Sequence, residues 1–75
     1  MRVTARYFAA LRERKGTSTE VVELPEGTTA RSAYRTLCPP ADLPVAFAVN
    51  EEMARPDTVL RAGDEVAFLP PIGGG

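Results

Sequence analysis

The stretch FLPPIGGG, Phe68 to Gly75, holds the group with the most chemical potential in this sequence, and that group is not a side chain. Read as the end of the chain, Gly75 presents a free α-carboxylate behind two further glycines, Gly73 and Gly74. A carboxylate resists nucleophiles at neutral pH. Once ATP has converted it to an acyl-adenylate, it becomes an electrophile with a good leaving group. Pro70 and Pro71 hold the backbone extended, which directs the glycines away from the body of the protein. Residues without a Cβ can approach another surface closely, or pass through a channel too narrow for side chains. The same stretch also suits an ordinary frayed terminus, and composition alone leaves both readings open. A phosphate-cradling loop is excluded, because that use needs a helix to begin directly after the glycines.

Other chemistry is scarce. With no histidine and one cysteine, the sequence has no Ser-His-Asp triad, no Cys-His pair and no set of four Cys/His zinc ligands. No metal site is expected, and internal catalysis is not. Cys38, in TLCPP, reads as a small buried hydrophobe at a helix end, without a histidine beside it to generate a thiolate. Glu51 and Glu52 fall in a turn and read as solvated charges. Asp57 and Asp64 read as turn residues that bond nearby backbone.

The elements that must carry this tail follow from periodicity. In RVTARYF, residues 2 to 8, Val3, Ala5 and Tyr7 point one way and Arg2, Thr4, Arg6 and Phe8 the other, the pattern of a half-buried strand. Phe8 shares a face with two arginines, so either the strand ends before it or an aromatic ring stands on the outer face. AALRERKG predicts a short helix with basic residues in its last turn and Gly16 as its C-cap. TEVVELPEG predicts a second strand ended by Pro25 and Gly27. TTARSAYRTLCPP predicts the main helix, capped by Thr28 or Thr29, with Ala30, Ala33, Tyr34 and Leu37 on one face and Pro39 and Pro40 beyond its end. VAFAVN is a third strand, and the following stretch holds at most short or edge strands near Met53 and Leu60. DEVAFL is the last strand, with Val66 and Phe68 on one face and Ala67 and Leu69 on the other. This order gives an α+β fold, a mixed sheet packed on one main helix. If the first and last strands lie side by side, Phe8 and Leu69 become neighbours, an apolar pair on an otherwise polar side.

Seventy-five residues make a single domain over 1–75, with a flexible glycine tail at 72–75, and a chain of this size buries only ~60% of its unfolded surface. Apolar residues at 44% and charged residues at 25% argue for a globular protein. The net charge of -1 hides an asymmetry: Arg2, Arg6, Arg12, Arg14 and Lys15 make the first sixteen residues basic, and the remainder is acidic. Aromatic residues do not interleave with these arginines, so nucleic-acid binding is not expected, and Arg12, Arg14 and Lys15 read as a solvated helix face. One cysteine, no apolar signal segment and no stretch long enough to span a bilayer point to a reducing cytoplasm and no membrane association.

YFAALRERKG, VELPEGTTA, AVNEE and AGDEVAFLPPIGGG together resemble the small, ubiquitin-like sulfur-carrier subunits of molybdopterin synthase, over nearly the whole chain. The resemblance implies a β-grasp fold. It also implies that an E1-like adenylyltransferase activates Gly75 with ATP, that a sulfurtransferase supplies sulfur, and that the resulting thiocarboxylate donates it to the cyclic pyranopterin precursor of the molybdenum cofactor. No cofactor would be bound, and ATP would be consumed by the activating partner. The large synthase subunit would supply the catalytic side chains, in a dimer of heterodimers. The family's partner contacts carry over to Phe8, Leu60 and Leu69, with Pro70 and Pro71 beside them. Gly73 stands where relatives often have alanine, serine or threonine, which adds entropy to ordering the tail. Leu69 replaces a phenylalanine of some relatives, which makes contact there smaller. Asn50, Glu51 and Glu52 stand where a glycine is common. Sister carriers for thiazole, tRNA thiolation or amino-acid synthesis, and a ubiquitin-like modifier, share the terminal chemistry. The YFAALRE opening and the double proline favour the molybdopterin reading.

Overall fold

The computed structural model describes residues 1–71. In chain order the elements are β1 (Arg2–Tyr7), α1 (Ala9–Lys15), β2 (Thr19–Glu23), α2 (Ala30–Leu37), β3 (Ala46–Val49), β4 (Glu52–Ala54) and β5 (Glu65–Leu69). They build a five-stranded sheet in the order β2-β1-β5-β3-β4. β1 and β5 run parallel at its centre, with Tyr7 opposite Phe68, and the other pairings are antiparallel. The α+β layering expected from the sequence is present. No helix among the described residues is long and apolar enough to cross a membrane.

Each helix begins and ends for an identifiable reason. Thr29 and Ser32 form a capping box at the start of α2, with the Ser32 N–H donating to Thr29 Oγ1 at 3.2 Å and the Thr29 N–H to Ser32 Oγ at 2.8 Å. Gly16 closes α1 in the left-handed region at φ 75°, where its N–H donates to Arg12 O at 2.9 Å. The chain between β1 and α1 is tighter: Phe8 is extended, and Ala9 is carried at φ 49°, a conformation that crowds its Cβ. The strand therefore ends before Phe8, and the extended backbone there still carries the ring to the Arg6 side of the sheet, so both possibilities for that residue hold.

One face of the sheet packs on α2. Val3, Ala5, Tyr7, Val66, Phe68 and Phe47 meet Ala30, Ala33 and Tyr34 across the layer, with Leu11, Leu24 and Cys38 closing its sides. Phe68 is fully buried and lies centrally among Tyr7, Tyr34 and Phe47, with ring centroids at 6.1, 5.6 and 6.0 Å. That spacing suits offset and edge-on aromatic contact. Tyr34 satisfies its hydroxyl against the connection to β3, donating to Leu43 O at 2.9 Å and accepting from Leu43 N at 3.2 Å.

The segment between β4 and β5 corrects one expectation. Leu60, assigned to a partner surface, is 2% exposed and belongs to the core. Its N–H donates to Thr28 O at 2.9 Å, the Ala30 N–H donates to Thr58 O at 2.9 Å, and Thr29 bridges Val59. These bonds tie the segment to the start of α2 and turn Leu60 inward, so Val59 takes the solvent side, 55% exposed.

Candidate functional site

The strand that anchors the tail has two faces. Phe68 fixes β5 from within, and the next residue, Leu69, points to the opposite side and is half-buried. Leu69 pairs with Ala46 of β3, and it lies one step beyond the Tyr7–Phe68 pair, level with Phe8 just past the end of β1. Parallel pairing of β1 and β5 thus places the two outward apolar residues at the same end of the sheet. The Arg6 guanidinium lies 5.1 Å from the Phe8 ring centroid and 3.5 Å from Glu65, and these contacts hold the ring and its strand in place.

On the same outer face Ala67 pairs with Ala48, and Ala48 pairs with Met53 on β4. The two alanines keep this strip low. Met53 is 72% exposed and stands at its far edge. Sequence reasoning missed Met53. A strand of three residues is too short to show alternation, and only the pairing of Ala48 with Met53 reveals which face the side chain takes. Phe8 and Leu69 at the root of the tail, and Met53 two strands from β5 at the sheet edge, therefore share one face, with Ala46 and the buried Ala48 and Ala67 between them. Pro70 is buried and Pro71 exposed, so the chain is still packed at the first proline and free at the second. Gly73, Gly74 and Gly75 lie outside the described residues.

The remaining candidates are structural. Cys38 is buried, and burial pushes its thiol pKa up, the wrong direction for a nucleophile. Asp64 accepts from Arg61 N at 2.8 Å and from Asn50 Nδ2 at 3.0 Å, as a turn residue should. Asp57 instead pairs with Arg55 at 3.4 Å on the surface. Asn50 and Glu51 carry the β3–β4 turn at φ 52° and 69°, which explains why glycine would suit that position. Among the described residues no group of three or more His, Cys, Asp or Glu side chains could hold a metal ion. The basic face of α1 is not one patch: Arg14 pairs with Asp42 at 2.8 Å, and Lys15 turns inward.

The ThiS family model matches residues 5–75. This chain belongs to the ThiS family. A molybdopterin synthase sulfur carrier subunit from Chlamydomonas reinhardtii is 34% identical to it, with both chains covered in full. Among solved structures, the small archaeal modifier protein SAMP1 of Haloferax volcanii superposes with a TM-score of 0.80 at 28% identity, over the whole of both chains. A Pyrococcus furiosus protein, named as a candidate subunit 1 of the molybdopterin converting factor, gives 0.78 at 28% identity over 96% of this chain and 99% of its own. The ThiS-family assignment and these neighbours establish the β-grasp, ubiquitin-like fold.

Proposed function

We propose that this ThiS-family chain is the sulfur-carrier subunit of a molybdopterin synthase and that Gly75 is its working residue. The full-length similarity to a molybdopterin synthase sulfur carrier subunit is the observation that carries this reading. The structure supports it as well, because β5 ends at Leu69, whose outward side chain shares a face with exposed Met53, before the chain passes into Pro70 and Pro71.

In this reading an E1-like adenylyltransferase binds the carrier and ATP. A carboxylate oxygen of Gly75 attacks the α-phosphorus, pyrophosphate leaves, and a glycyl-adenylate results. Persulfide sulfur of a sulfurtransferase then displaces AMP at the carbonyl carbon to give an acyl disulfide, and a thiol reductant cleaves its S–S bond, leaving a thiocarboxylate. The large synthase subunit covers Phe8, Leu69 and Met53, takes the tail into its active site and supplies the catalytic side chains. Two rounds of transfer to the pyranopterin precursor build the dithiolene, in an assembly of two carriers and two large subunits. The carrier holds no cofactor of its own, and ATP is spent by the activating enzyme.

The likeness to SAMP1 favours a second reading, in which the activated glycine is joined to amines of other proteins. Both readings need a free terminal carboxylate. A variant carrying one residue after Gly75 should fold normally and still bind the large subunit, yet deliver no sulfur to the precursor. Sulfur delivery by that variant would refute the proposed chemistry. Amide-linked adducts on cellular proteins, with no sulfur delivered by the unextended chain, would favour the modifier.

A further inference from the structure

Lys15 is the single lysine of the chain, and the fold treats it as a structural cation. It ends α1, and its Nζ donates to Leu37 O at 2.8 Å. Leu37 is the last residue of α2, so this carbonyl is one of those a helix leaves without an intrahelical donor. Nζ also lies 3.4 Å from Glu20 Oε1 on β2 and 5.1 Å from the centroid of the Tyr7 ring. The Tyr7 hydroxyl donates to the same carboxylate oxygen at 2.7 Å. One ammonium therefore joins α1, α2, β1 and β2, and its side chain is 25% exposed. The α-amino group of Met1 is engaged in a similar way, donating to Leu24 O at 2.7 Å.

The position of Lys15 gives this burial a consequence. Tyr7, whose ring it covers, pairs with Phe68, so the lysine sits at the end of the sheet from which the chain passes into Pro70 and Pro71. An amine tethered near an activated acyl group reacts at high effective concentration. In that side reaction the ammonium would first lose a proton to water, the neutral Nζ would add to the glycyl carbonyl carbon of the acyl-adenylate, AMP would leave with its bonding pair, and the nitrogen would release a second proton to water. The product would be an isopeptide bond and a dead carrier.

We propose that the fold withholds Lys15 from acylation by an activated glycine carboxyl, so that the chain can be activated at its tail without modifying itself or a second copy. The need for this protection rests on the function proposed above, whereas the protection itself is a property of Lys15 alone. For Nζ to attack, it must leave the Leu37 carbonyl and the Glu20 carboxylate, which leaves the last carbonyl of α2 without its donor.

The test uses the full chain and N-hydroxysuccinimidyl acetate as the acylating probe. Arg12 is exposed on the same helix, so Arg12→Lys introduces a reference lysine into the same molecule. Acetylation at both positions is followed by peptide mass spectrometry. Lys15 should react at least about tenfold more slowly than the reference, the scale set by breaking one charge-assisted hydrogen bond. The difference should vanish in guanidinium chloride. Adding Glu20→Gln, with folding checked by urea denaturation, should speed Lys15 and leave the reference unchanged. A smaller difference in the folded chain, or a Lys15 rate indifferent to Glu20→Gln, would overturn the proposal. Neither outcome depends on whether Gly75 is ever activated, so failure here is distinct from failure of the sulfur-carrier reading.

Discussion

The two faces of the central strand β5 differ more than any two separate parts of the molecule. Inward, Phe68 is fully buried among three aromatic rings and Val66 beside it is equally enclosed. Outward, Ala67 and its partner Ala48 are buried, Leu69 is half-buried, and the face ends at exposed Met53. Burial on the inner side stabilises the fold. The outer side leaves apolar area in water, which costs little in a monomer and becomes favourable when a partner covers it. Core burial and exposed apolar area are thus separated across the thickness of one sheet, and substitutions on the two faces should have separable effects.

Phe68→Ala gives the largest expected effect. It removes the centre of the aromatic cluster and should cost ~3–5 kcal/mol, enough to unfold a domain this small; the urea midpoint reads it. A loss below ~1 kcal/mol would show that the inner face does not hold the fold as described.

Leu60→Ala and Met53→Ala sharpen the contrast, because sequence resemblance placed Leu60 at the partner surface, whereas the structure buries Leu60 and exposes Met53 on the outer face. Leu60→Ala should lose ~2–5 kcal/mol of stability. Met53→Ala should change stability by no more than ~0.5 kcal/mol and weaken binding to the large subunit, as read by calorimetry. The reverse pattern would restore Leu60 as the contact residue.

Smaller effects belong to the helix layer. Thr29→Ala breaks the capping box and should cost ~1 kcal/mol in urea denaturation without altering affinity for the large subunit. Glu20 offers a pH test: the Tyr7 hydroxyl, and then Lys15, hold its carboxyl below its ordinary pKa. A lowered folded pKa means stability that is present above the unfolded value, ~4.3, and is lost as pH falls through the folded one. Glu20→Gln should therefore flatten the acid limb of the stability profile and leave that of the outer-face variants unchanged.

Much of this fold was legible in the sequence because its longer elements repeat a pattern. Alternation in β1 and β5 separated Tyr7 and Phe68 from Phe8 and Leu69, and the helical spacing of Ala30, Ala33 and Tyr34 marked the buried face of α2. Legibility failed where an element was too short or a contact too remote. Leu60 turns inward because its own N–H bonds Thr28 and its neighbour Thr58 bonds Ala30, distant residues that no local pattern reveals. Lys15 looked solvated because its partners, Leu37, Glu20 and Tyr7, come from three other elements. The interface residues named from resemblance divide accordingly: Phe8 and Leu69 reach the outer face, whereas Leu60 and Pro70 are buried.

The central claim is that the terminal carboxylate of Gly75 is the group that works. It is tested most directly by the intact mass of the full chain after incubation with ATP, a sulfurtransferase with its sulfur source, and the adenylyltransferase of the same host. The account predicts the exchange of one oxygen for one sulfur, confined to the C-terminal peptide and absent when ATP is withheld. An unchanged terminus, under conditions that thiolate a known carrier, would contradict it.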